Sequence, residues 1–132
     1  MKTQPDTLTK IQVQNVYLSE LRAVVNLYKR QILHISETEV ANAKLTAAFG
    51  LPLAVLTSDR KVVGFARAQI NDLGAIDLSC YLEEDFLDDK HYMALKAKAE
   101  DNLHYTFSRE NQQTEDLASA IEQLIYWLNL AS

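Results

Sequence analysis

The chain has 132 residues, 48% of them apolar and 23% charged, with a formal net charge of −5. That length fits one compact domain able to bury a core without disulfides or metal, and the single cysteine, Cys80, excludes an intrachain disulfide framework. No apolar run approaches the roughly 20 residues that span a bilayer, and the opening MKTQPDTLTK lacks the apolar region of a secretory signal, so no membrane contact and a cytoplasmic location are expected.

Charge is unevenly placed along the chain. Residues 1–82 carry a net +2 and residues 83–132 a net −7. An acidic C-terminal half repels phosphate backbones, which argues against a nucleic-acid partner.

In chain order, residues 8–15 (LTKIQVQN) set Leu8, Ile11 and Val13 against polar neighbours, which predicts a short strand. Ser19 is a candidate N-cap, and Leu21, Val24, Val25, Tyr28, Ile32 and Ile35 recur at helical spacing. Ser36-Glu37-Thr38-Glu39 has the form of a capping box, with Ser36 as cap and Glu39 reaching back. The helix it opens is expected to run to Phe49, where Gly50 supplies a left-handed residue and Pro52 blocks continuation.

Three strands should follow, at residues 53–57, 61–70 and 75–82. Ser58-Asp59-Arg60 and Asn71-Asp72-Leu73-Gly74 are the turns between them. In the last strand Ile76, Leu78, Cys80 and Leu82 face one side, and Asp77, Ser79 and Tyr81 the other. Gly64, Ala66 and Ala68 share a face of the middle strand and leave room for a helix to lie close.

Beyond the strands, Tyr92, Leu95, Ala99 and Leu103 form a stripe on a helix starting near Asp88. Residues 103–108 (LHYTFS) either finish that helix or form a further strand. Thr114, Glu115 and Asp116 suit the start of a last helix with Leu117, Ile121, Leu124, Ile125 and Leu128 on one face. The expectation is a single α+β domain over residues 1–132, in the order β-α-α-β-β-β-α-(β)-α. An antiparallel three- to five-stranded meander would pack against about four helices.

That order, with the wording of residues 8–82, resembles the GNAT acyltransferase superfamily. The likeness is carried by LTKIQVQN, SELRAVVNLYKRQI, the helix ending FGLP, LAVLTSDRKVVGFARAQI and GAIDLSCYL. It is strongest at DRKVVGFA, Asp59 to Ala66, where the family often has a "dgkivGfa" hairpin. Members of the family hold the pyrophosphate of acyl-coenzyme A with an Arg/Gln-x-x-Gly-x-Gly/Ala loop leading into a helix. Between Tyr81 and His91 this chain instead has EEDFLDD, residues 83–89, with no glycine. The start of a helix after a strand attracts anions, yet here the protein's own carboxylates stand in that place. Gly50, Gly64 and Gly74 are all assigned elsewhere, so no bare backbone is left for a phosphate. The resemblance thus implies a partial GNAT-like scaffold without its cofactor site, and no cofactor is expected.

The remaining candidates have simpler structural readings. Residues 83–89 lack the glycine and alternating oxygen ligands of a calcium loop, and read as carboxylates favouring a helix dipole. His34, His91 and His104 are far apart with no second cysteine, so no metal is expected. His104, four residues after Glu100, reads as half of a helix-surface pair. Cys80 lies on an apolar strand face and reads as a buried, inert thiol, while Ser79 points the other way without a nucleophile elbow. Tyr126 stands where the resemblance would put an acid tyrosine, a role not carried over without the cofactor loop. Tyr126 and Trp127 are read instead as anchors of packing or of a contact surface.

No catalytic residue is assigned. The expected function is a non-catalytic protein-interaction module, forming a homodimer or meeting a protein partner through a free strand edge or the Tyr126–Trp127 face. The alternative is a divergent acyl-CoA-dependent N-acetyltransferase using the cleft beside the third strand. A third reading is a chaperone or inhibitor whose acidic half meets a basic partner.

Overall fold

The computed structural model describes residues 10–131. Its centre is an antiparallel sheet of β1 (Ile11–Gln14), β2 (Leu51–Ser58), β3 (Lys61–Ile70) and β4 (Ile76–Leu82), in that spatial order. Three α-helices pack on it: α1 (Leu18–Leu27), α2 (Asp89–Thr106) and α3 (Gln113–Ala131). The opening strand is present from Ile11, while Leu8 and Thr9 lie outside the described residues.

Local turn chemistry sets the sheet. β2 and β3 reverse over Asp59 and Arg60, whose φ values of 51° and 73° are both positive, as a two-residue hairpin turn requires. Asp59 also holds the edge strand in register: its N–H donates to Lys10 O and its Oδ1 accepts the Lys10 N–H, each at 2.8 Å. In the second turn Asn71 Oδ1 accepts the N–H groups of Leu73 (2.9 Å) and Ala75 (3.0 Å).

Period-2 alternation gives the sheet two buried faces. Ala66 and Ala68 of β3 sit opposite Cys80 and Leu78 of β4, on the side where Leu95, Ala99 and Leu103 of α2 are buried. Val55 and Phe65 face the other way, against Val24 of α1, Tyr28 and Phe49. The small side chains at 66 and 68 admit α2, as expected. Gly64 answers a different need, because a Cβ there would lie 2.7 Å from both Leu82 Cδ2 and Tyr81 O of the adjacent strand.

α3 joins the two cores. Leu117 and Ile121 belong to the α2 side, Leu124 and Leu128 to the α1 side, and Ile125 packs against both. The helix therefore passes the edge of the sheet from one face to the other. There β1 pairs only with residues 55–58 of β2, and Asn102 Nδ2 donates to the edge carbonyl of Leu53 at 2.7 Å.

Three expectations need correction. The helix over residues 36–49 does not form. Ser36 and Glu39 meet side chain to side chain (Ser36 Oγ to Glu39 Oε1, 3.0 Å) rather than through the backbone N–H groups of a capping box, and the chain makes only short 3-10 turns at Val40–Asn42 and Ala47–Phe49. Its buried side chains, Val40, Leu45 and Phe49, do not make a wide helical stripe, and Ala41, Ala43, Ala47 and Ala48 would add little apolar area to one. Fixed partners hold the segment instead: Arg67 Nη1 donates to Ala48 O (3.0 Å) and Phe49 O (3.3 Å), and Gln69 Nε2 to Ala48 O (2.8 Å).

Second, among the described residues three α-helices replace the expected four, and the order becomes β-α-β-β-β-α-α. Of the two alternatives for residues 103–108 the helical one holds: residues 103–106 finish α2, with Leu103 and Phe107 buried at its end. Third, α1 is capped at Tyr17, not Ser19. Glu20 Oε1 accepts the Tyr17 N–H (3.1 Å) and Glu20 Oε2 takes the Ser19 hydroxyl (2.7 Å). Gly50 does adopt a positive φ, of 76°, but it ends a 3-10 turn.

Candidate functional site

The last part of the first helix departs from α geometry. From Tyr28–Ile32 it forms a π-helical turn, with the Leu33 N–H donating to Tyr28 O, five residues back, at 3.0 Å. The wider turn brings two consecutive side chains inward, Tyr28 and Lys29, and leaves Lys29 only 5% exposed. His34 then takes a positive φ of 57°, and the Ile35 N–H returns to Lys29 O at 2.9 Å.

Lys29 Nζ donates to Val40 O at 3.0 Å. No carboxylate reaches it, since the ion pairs among the described residues belong to Arg30, His91 and Arg109. Burial, reinforced by the nearby Lys44 charge, pushes the Lys29 ammonium below its ordinary 10.5.

This lysine lies in an open groove of about 550 Å³ between α1, the segment 40–45 and the end of α3. Leu21 and Val25 come from α1, Leu45 from the segment, and Trp127 and Leu128 from α3. Leu18 (71% exposed) and Trp127 (46%) leave apolar surface facing water. Arg22 and Lys29 line the groove and, among the described residues, no Asp or Glu does, so its described lining is positive in a chain of net charge −5. Its walls are tied together by Asn129, which accepts the Leu45 N–H (2.9 Å) and donates to Leu45 O (3.0 Å), while Lys44 Nζ donates to Asn129 O (3.1 Å).

The positions singled out from the sequence fall elsewhere. At the start of α2, Asp88 is the N-cap and its Oδ1 accepts the His91 N–H at 2.7 Å. His91 Nδ1 lies 3.0 Å from Phe86 O and 3.3 Å from Asp88 Oδ2. This helix start is therefore filled by the chain's own carboxylate. A polar hollow of about 420 Å³ beside β4 holds Asp77, Lys96, Glu100 and His104. Glu100 and His104 share it without forming the expected ion pair. Cys80 is half-buried against the α2-side core, and burial chiefly raises its pKa, with Lys96 opposing and Glu100 adding to the shift. Among the described residues no group of three or more His, Cys, Asp or Glu side chains is placed to hold a metal ion. Tyr126 is 70% exposed and does not pack in the core, whereas Trp127 walls the groove.

Sequence reasoning missed Lys29 and Arg22. A signal was present, because Leu18, Arg22, Val25 and Lys29 follow one another along one flank of a helix. The facing wall, from residues 40–45 and 127–129, had no such signal. No family model, curated protein or solved structure matches this chain. No helix among the described residues is long and apolar enough to cross a membrane.

Proposed function

We propose that this chain is a non-catalytic binding module whose working surface is the groove between α1 and the end of α3. The observation that carries the reading is the combination of apolar walls open to water with a buried lysine that no acidic side chain among the described residues neutralises. Groups of this kind are costly to fold around, and such residues concentrate at sites of function. A GNAT-like ancestry of the scaffold belongs to the same proposal, supported by the wording of residues 8–82 and by the hairpin that Asp59 and Arg60 turn. The acetyltransferase alternative would need an anion site at the start of α2, where Asp88 already occupies the His91 N–H.

The test uses the chain's single tryptophan, Trp127, as a reporter in the wall of the groove. Titration with a small amphiphile such as 1-decanol should change Trp127 emission saturably and raise Tm by mass action. Ala41→Phe, at an exposed position lining the groove, should abolish the response by filling the space and leave Tm unchanged. No response in the wild type, or an undiminished one in Ala41→Phe, would count against the groove.

A second use of this face is a protein contact, favoured by the exposure of Tyr126 and Leu130 beside Trp127. That reading predicts a concentration-dependent oligomer in sedimentation, lost in Trp127→Glu while the circular dichroism spectrum is retained. A monomer at all accessible concentrations would remove the homodimer.

A further inference from the structure

We propose that the α1–α3 groove binds a small amphiphilic carboxylate, its apolar body between Leu21, Val25 and Leu128 and its carboxylate against Lys29 and Arg22. The inference rests on the groove being the working surface and adds the chemistry of what occupies it.

The buried ammonium carries the argument. Lys29 makes one hydrogen bond, to Val40 O, and its two other N–H groups have no acceptor among the described residues. An ammonium with little access to water and no counter-charge is disfavoured. A carboxylate supplies a counter-charge and two strong acceptors together.

Arg22 adds a second cation. It is exposed, lines the same groove seven residues earlier on the same helix, and has no ion pair among the described residues. Among the described residues no acidic side chain lines the groove to compete with an incoming anion. Apart from the amides of Asn26 and Asn129 the rest of the surface is aliphatic or aromatic, and its volume lies in the range of small-molecule sites, roughly 300–1,000 Å³. A phosphate-rich ligand fits less well, since the lining contains no glycine at which backbone N–H groups could close around it.

Purified protein would be titrated at neutral pH with decanoate, 1-decanol and decylamine, which share one apolar body and differ in the head group. Trp127 emission and Tm are the readouts. Decanoate should bind about tenfold or more tighter than decanol, and decylamine more weakly than either. Lys29→Met should still bind decanol but lose the preference for decanoate, and Lys29→Arg should keep part of it. Equal affinities for decanoate and decanol, or a preference that survives Lys29→Met, would overturn the proposal while the groove itself stands. Silence of Trp127 toward all three would instead remove the groove reading. If Lys29→Met does not fold, Arg22→Met makes the same comparison at an exposed position, and an undiminished preference there also overturns the proposal.

Discussion

Lys29 is where folding and binding make opposite demands. Two charged groups near it, Arg22 in the same groove and Lys44, are both cationic, and its acceptor among the described residues, Val40 O, also takes the Ala43 N–H at 3.4 Å. Lys29→Met therefore removes an unneutralised charge without orphaning that carbonyl, and is expected to raise Tm by a few degrees at neutral pH. The sign with pH follows from linkage. Between the lowered pKa and 10.5 the native state holds fewer protons at this site than the unfolded chain. Wild-type stability should therefore rise with pH through that window. The gain from Lys29→Met is full below the window and vanishes toward pH 10.5, a trend readable from urea denaturation of both proteins across pH. Asp88 shows the opposite economy, a carboxylate whose position is fully used. Asp88→Ala should cost about 1 kcal/mol in the same measurement, and a neutral result would mean that the N-terminus of α2 is capped by water equally well.

Among the elements, those with strong local signals match their expectations. β3 covers its predicted residues, and β2 and β4 differ from theirs only at the ends, because alternation and two turns with dedicated residues act within a few positions. The stripes of α2 and α3 are equally local, and their central side chains, Leu95, Ala99, Leu103, Leu117 and Ile121, are buried. Residues 36–49 had a capping box and good helix formers, yet their path is set by Arg67, Gln69 and Asn129, all distant in sequence. Propensity is a weak prior when such anchors compete with it. The π turn is of the same kind: nothing in YKRQI announces five-residue hydrogen bonding, and burying both Tyr28 and Lys29 depends on the sheet and on Val40. At Gly64 the close approach of β4 gives a sharp expectation. Gly64→Ala should destabilise by about 1–3 kcal/mol through overpacking against Leu82 and Tyr81, seen as a lower urea midpoint with an unchanged slope.

On the scale of the whole molecule, α3 makes the two cores interdependent. Because Ile125 packs against both, calorimetric unfolding should be a single transition. Leu117→Ala, at a fully buried site of the α2-side core, should cost about 2–5 kcal/mol while preserving that single transition. Two separable transitions would show that the faces of the sheet unfold apart. The same helix creates the groove, since only its passage around the sheet edge brings Trp127 and Leu128 opposite α1. The sequence by itself determined an α+β chain with a three-strand hairpin run and two amphipathic C-terminal helices, because periodicity and turn chemistry act between near neighbours. It also placed carboxylates at the start of α2, where one of them caps the helix. The tertiary structure decided the path of residues 36–49, the π turn and the burial of Lys29. Each of these depends on hydrogen bonds and packing between segments distant along the chain, and a pattern read over a dozen residues contains no record of such contacts.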